Sequence, residues 1–242
     1  MPETPTIVLV HGAWADASSW TGVIRRLQAS GRTVVALPNT LRGVGADAAV
    51  IRSYLDTVEG PVILVGHSYG GFVITNAAAE GDDVKALVYV DAFVPDEGET
   101  VFQILGGSGS ALDVPDPTTV LDLVTYPGSP EGDLEAFLKP DTVHQSFAQD
   151  LEEADRWLIV ESQRPITLGA NTTPSAAGAW NRLPSWAVVG TEDLVIPPTT
   201  QRSMAERAGA TITEVAGSHV SMVSQPQVTI EAIVAAASAV GD

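Results

Sequence analysis

The residues with the clearest chemical potential are a serine ringed by glycines in "VILVGHSYGG", residues 62–71. Gly66, Ser68 and Gly70 form G-x-S-x-G. An apolar run that reads as a strand precedes them, and "YGGFVITNAAAEG", a small-residue segment that reads as a helix, follows. A serine on so sharp a strand-to-helix turn sits in a strained backbone conformation, and a side chain at either flanking glycine would collide with nearby backbone. The turn lifts the hydroxyl to the carboxyl edge of a sheet, while the next helix aims its first amides at the same point. Such a hydroxyl can attack a carbonyl if a base takes its proton and an acid orients the base.

Four histidines are available as that base. His67 adjoins the serine, but the sharp turn aims it elsewhere. His11 belongs to the turn after the first apolar run and reads as a loop-holding residue. His144 lies in an acidic helical stretch and is expected to face solvent. His219, in "VAGSHVSMV", follows the last strand and precedes the final helix, which makes it the candidate base. For the acid, Asp193 in "VVGTEDLVIPP" is preferred to Glu192, since a short carboxylate held by turn hydrogen bonds fixes an imidazole more firmly. Asp91, closing "VKALVYVD", is the rival. The order Ser68, Asp193, His219 is one of the known chain orders for this constellation. In "LVHGAW" (9–14), Gly12 permits close backbone approach, so the amides of Ala13 and Tyr69 form a candidate oxyanion hole. Each such donor is commonly worth about 3 to 4 kcal/mol in the transition state.

These loops need a sheet to gather them. "TIVLV" (6–10), "TVVAL" (33–37), "PVILVG" (61–66), "VKALVYVD" (84–91), "SWAVVG" (185–190) and "TITEV" (211–215) read as strands, apolar on both faces and separated by helical patterns. "SSWTGVIRRLQASG" (18–31) puts Trp20, Ile24 and Leu27 on one face, with Ser18 or Ser19 as its cap and Gly31 at its end. The expectation is an α/β fold with a mostly parallel six-stranded sheet flanked by helices. Residues 1–94 and 184–242 form the core, interrupted once by a mostly helical insertion over 95–183. That insertion shows no convincing buried strand. It alternates Gly- and Pro-rich clusters ("GGSGS", "VPDP", "YPGSPEG") with acidic amphipathic helices such as "DTVHQSFAQDLEEADRW".

Composition narrows the function classes. Apolar residues make up 45% and charged ones 17%, as in a folding globular chain. A formal charge of −18 argues against nucleic acid or an anionic membrane surface as partner. No apolar run reaches the roughly 18 to 20 residues that span a bilayer. "MPETPTIVLV" lacks the features of an export signal, so a cytoplasmic location is expected. With no cysteine, disulfides and thiolate catalysis are excluded. No nucleotide-binding loop or zinc spacing is present, so neither a cofactor nor a metal is expected.

Over essentially the whole chain, "HGAWADASSW", "GHSYGG", "VKALVYVDAFVPDEGE", "SWAVVGTEDLVIPP" and "GSHVSMV" resemble the α/β-hydrolase superfamily. They are most similar to its small six-stranded branch, which includes plant methyl-ester esterases, hydroxynitrile lyases and bacterial esterases. The resemblance implies a helical cap at residues 95–183 over a largely apolar pocket. It also implies the same roles for Ser68, Asp193, His219, Ala13 and Tyr69. Two departures matter. The plant lyases place a lysine after the histidine and a threonine in the first-strand loop, where this chain has Val220 and Gly12, which argues against cyanohydrin chemistry. Ser68 rules out the aspartate-nucleophile mechanism of dehalogenases and epoxide hydrolases. The expected partner is a small-molecule ester or lactone, with Trp14, Phe93, Trp180, Leu194 and Val220 lining its pocket. Lactone opening, perhydrolysis, carbon–carbon hydrolysis and a receptor-like binding role are the alternatives.

Overall fold

The computed structural model describes residues 4–78, 83–176 and 178–240. Its strands, in chain order, begin with β1 (Thr6–Val10), β2 (Val34–Leu37), β3 (Val62–His67) and β4 (Val84–Val90). Within the long segment that follows lie β5 (Leu121–Val124), β6 (Glu135–Leu138) and β7 (Ile166–Thr167), before β8 (Ser185–Gly190) and β9 (Thr211–Val215). The central sheet runs β2-β1-β3-β4-β8-β9, and every neighbouring pair is parallel. β3 is buried at every position and β1 at all but its first, because these strands carry apolar side chains on both faces and lie between helical layers.

Three helices link the first four strands: α1 (Thr21–Ala29), α2 (Val44–Leu55) and α3 (Gly70–Ala77). α1 packs with the C-terminal helix Pro226–Val240, and α2 packs with α3. Trp20, Val23 and Leu27 are fully buried, while Ile24 is half-buried. The start of this element differs from the serine cap expected. Asp16 accepts the Ser18 amide at 2.7 Å and opens a 3-10 turn, Ala17–Trp20, that leads into α1. Gly31 ends the segment at φ +76°, a conformation a glycine adopts without strain.

The insertion between β4 and β8 departs from the helical expectation, since β5, β6 and β7 form a small antiparallel sheet in that order. These strands are two to four residues long, and β5 alternates half-buried with exposed positions, so none leaves an apolar run in the sequence. "DTVHQSFAQDLEEADRW" is also not one helix. A π-helical turn spans Val143–Phe147, an irregular bend follows, and a separate helix covers Glu153–Ser162. Phe147, Ala148 and Leu151 are drawn into the core at the break, whereas Glu153–Ser162 buries no residue fully. Among the described residues, no helix is long and apolar enough to cross a membrane.

Candidate active site

Four loops leave the carboxyl ends of adjacent strands and meet. Ser68 follows β3, Asp91 follows β4, Asp193 follows β8 and His219 follows β9. Ser68 has φ +53°, a left-handed conformation costly for a serine, and the surrounding glycines account for its survival. A Cβ on Gly66 would lie 2.6 Å from the Gly70 carbonyl oxygen, and one on Gly70 would lie 2.5 Å from the Val10 carbonyl oxygen. The turn therefore closes against backbone on both sides.

The Ser68 hydroxyl donates to His219 Nε2 at 2.8 Å, and His219 Nδ1 donates to Asp193 Oδ2 at 2.7 Å. All three side chains are buried. Burial pushes the His219 imidazole below its ordinary value, leaving a neutral ring with a bare Nε2 toward the serine. Asp193 is held much as a turn carboxylate should be. Its Oδ1 accepts the Val195 and Ile196 amides at 2.8 and 2.9 Å, and Oδ2 also accepts Gln201 Nε2 at 2.8 Å. Burial pushes its carboxyl upward against these hydrogen bonds, which favour the charged form.

Asp91, the rival acid, makes no hydrogen bond to His219 among the described residues. Its Oδ1 accepts the Gly190 amide at 2.8 Å and its Oδ2 the Ser221 amide at 2.9 Å, so it ties the β8 end to the segment after His219. Burial, followed by the charge of Asp193, pushes its carboxyl well upward. His67 is turned from the serine but braces the base: its Nε2 donates to the His219 carbonyl at 2.8 Å. Burial, followed by the neighbouring His219, holds its imidazole well down. His11 accepts the Asn39 amide at Nε2 and donates from Nδ1 to the Gly12 carbonyl, each at 2.8 Å. His144 does not face solvent freely. It is half-buried, with its ring centroid 4.8 Å from that of Trp157.

Ala13, Tyr69 and Ser68 share the wall of a cavity of about 400 Å³. Among the described residues, neither the Ala13 nor the Tyr69 amide donates to another protein group. A second network fixes Tyr69. Its hydroxyl donates to buried Asp47 at 2.8 Å, and the same carboxylate accepts the Arg42 and Gly43 amides and the Thr40 hydroxyl. Burial, then the charge of Asp47, holds the Tyr69 phenol protonated.

Of the pocket residues expected, Trp14 and Phe93 line the cavity, and three others do not. Trp180 is a strut, donating from Nε1 to the Pro95 carbonyl at 2.7 Å with the Arg207 guanidinium over its ring. Leu194 is 46% exposed, because the turn capped by Asp193 directs its neighbour Val195 into the cavity instead. Val220 lines a smaller cavity of about 280 Å³ beside Trp14 and Phe147. The remaining wall comes mainly from the insertion: Val101, Phe102, Leu105, Leu112, Leu121 and Leu168. Trp14 itself adopts φ +57° and is held to the insertion at two points, its amide on the Arg164 carbonyl at 2.9 Å and its Nε1 on the Ala136 carbonyl at 2.8 Å.

A parallel sheet with a strained serine at its carboxyl edge, facing a histidine from the last strand, defines an α/β-type hydrolase architecture. The profile of the alpha/beta hydrolase family matches residues 7–232, and the chain belongs to that family. Methylesterase 2 of Arabidopsis thaliana is 27% identical over 251 residues, covering 95% of each chain. The carbendazim hydrolyzing esterase of Nocardioides sp. (strain SG-4G) is 38% identical over 113 residues, a match spanning 40% of this chain and 46% of that protein. Among solved structures, polyneuridine aldehyde esterase superposes with a TM-score of 0.82 over 96% of this chain and 99% of its own, at 21% identity. That last likeness is one of fold.

Proposed function

We propose that this carboxylic-ester hydrolase works through Ser68, His219 and Asp193 by way of an acyl-enzyme. The carrying observation is the continuous chain of hydrogen bonds from Ser68 through His219 to Asp193, opening on a largely apolar cavity. His219 Nε2 takes the Ser68 proton as the oxygen attacks the ester carbonyl. The tetrahedral oxyanion is held by the amides of Ala13 and Tyr69. The protonated imidazole, oriented by Asp193, gives its proton to the departing alcohol, and water then repeats the sequence on the acyl-enzyme. Residues 95–183 act as the cap that walls the acyl site.

The substrate class follows from the lining. Among the described residues, the cavity wall has no lysine or arginine to pair with a carboxylate, and its one charged residue is Asp113. Small, neutral, apolar esters suit it, while esters bearing a free carboxylate do not. Replacing Ser68 with alanine should abolish turnover of p-nitrophenyl acetate and leave the circular dichroism spectrum and unfolding midpoint near wild type. A Ser68→Ala protein that still turns over the ester at the wild-type rate would refute the mechanism.

A further inference from the structure

Three residues within a four-residue stretch of the insertion, Phe147, Gln149 and Asp150, between them touch both loops that carry the base and the acid. Phe147, fully buried, sets its ring against the His219 imidazole with centroids 5.1 Å apart and planes at 62°. Gln149 donates from Nε2 to the carbonyl of Glu192, the residue before Asp193, at 2.6 Å. Asp150 Oδ2 accepts the amide of Ser218, the residue before His219, at 3.0 Å. The two loops are also joined to each other, by the Glu192 amide on the Gly217 carbonyl at 3.1 Å. The stretch starts where the π-helical turn Val143–Phe147 ends, a rare wide turn of a kind that recurs at functional sites.

None of Phe147, Gln149 and Asp150 lines the 400 Å³ cavity onto which Ser68 opens, and Phe147 borders the smaller one beside Trp14 and Val220. What they control is where the two loops stand. A base that must keep bonds to Ser68 and Asp193 at once tolerates little displacement, since a misplacement of about 1 Å can cost roughly a hundredfold in rate. We propose that Phe147, Gln149 and Asp150 are positioning residues, through which the insertion straps the acid and base loops together and aligns His219. The insertion is then part of the catalytic apparatus as well as the wall of the pocket. This rests on the serine-esterase reading above.

The test uses the full chain carrying Asp150→Ala, Gln149→Ala or both. The measurements are steady-state hydrolysis of p-nitrophenyl acetate and the rate at which a fluorophosphonate labels Ser68. Each single change should lower kcat and the labelling rate together by about tenfold, the scale of one lost hydrogen bond, with KM within about twofold of wild type. Asp150→Asn, whose amide oxygen can still accept the Ser218 amide, should recover most of both rates. Wild-type kcat and labelling in the double variant would overturn the proposal. So would a loss confined to KM, or a lowered unfolding midpoint with unchanged kcat per folded molecule. If Asp150→Ala yields no folded protein, Gln149→Ala, made at a half-buried side chain, decides between these outcomes. Failure here with an inactive Ser68→Ala control removes the strap alone, whereas an active Ser68→Ala removes the reading beneath it.

Discussion

Gly12→Ala measures how closely the β1 loop is fitted to the nucleophile. A Cβ at Gly12 would lie 2.6 Å from Ser68 Cβ, 2.8 Å from the His67 carbonyl oxygen and 3.1 Å from His67 Nδ1. The first contact falls about 0.8 Å short of the separation at which ordinary carbon contacts begin, and the second meets backbone that cannot rotate aside. Relief requires the β1 loop and the elbow to part by nearly that distance, which moves the Ala13 amide away from the reacting oxygen. Overpacking of this kind costs about 1 to 3 kcal/mol of stability. Loss of one oxyanion donor costs about 10²- to 10³-fold in kcat. The assay is kcat and KM for p-nitrophenyl acetate beside guanidinium unfolding, with Gly45→Ala in α2 as control, since a Cβ there meets nothing within 4 Å. The expected signature is a large fall in kcat, a modest loss of stability and an undisturbed control. A Gly12→Ala enzyme with kcat within about threefold of wild type would refute both the close fit and the role given to Ala13.

Three further outcomes are expected. Asp193→Asn should lower kcat by about 10³- to 10⁴-fold while the protein stays folded, because an amide neither holds the required imidazole tautomer nor stabilises its charge. Asp91→Asn should instead cost about 1 to 3 kcal/mol of stability by turning an amide group toward the Gly190 or Ser221 N–H, with kcat changed far less; the reverse ranking would exchange the two acids. The acid limb of the kcat/KM profile should have its midpoint below pH 6.5, the ordinary histidine value. Burial depresses the pKa of His219, so the ring stays neutral as pH falls through 6.5 and activity is lost only on protonation further down. A midpoint at or above 6.5 would contradict that.

The central sheet is legible in the sequence because each strand is a short apolar run bounded by turn residues, and because G-x-S-x-G has a mechanical meaning only between a strand and a helix. Motif and chain order pair Ser68 with His219 and Asp193, and the three do meet in space. What stays hidden depends on contacts far apart in the chain. Nothing near Trp180 in sequence announces that its indole is engaged by Pro95, and Leu194 differs from Val195 only by a register that the Asp193 turn sets. The short β5, β6 and β7 carry too few apolar residues to register as strands. His67 is unsuited to act as the base because its ring points away from the serine, yet that same direction lets it hold the His219 carbonyl. Asp47 bonds Thr40, Arg42 and Gly43 within its own loop, but its link to the site is the bond from Tyr69, which is remote in sequence and forms only where α2 packs beside α3.

Trp14 sews the loop after β1 to the insertion by two hydrogen bonds while standing next to Ala13 in the chain. An insertion that lifted at this seam would have to unpick both stitches and carry the neighbouring amide out of place. Phe102, Asp113 and Pro117, by contrast, are exposed residues of the cavity wall that take no part in this seam. Trimming those side chains would enlarge the cavity without touching either stitch.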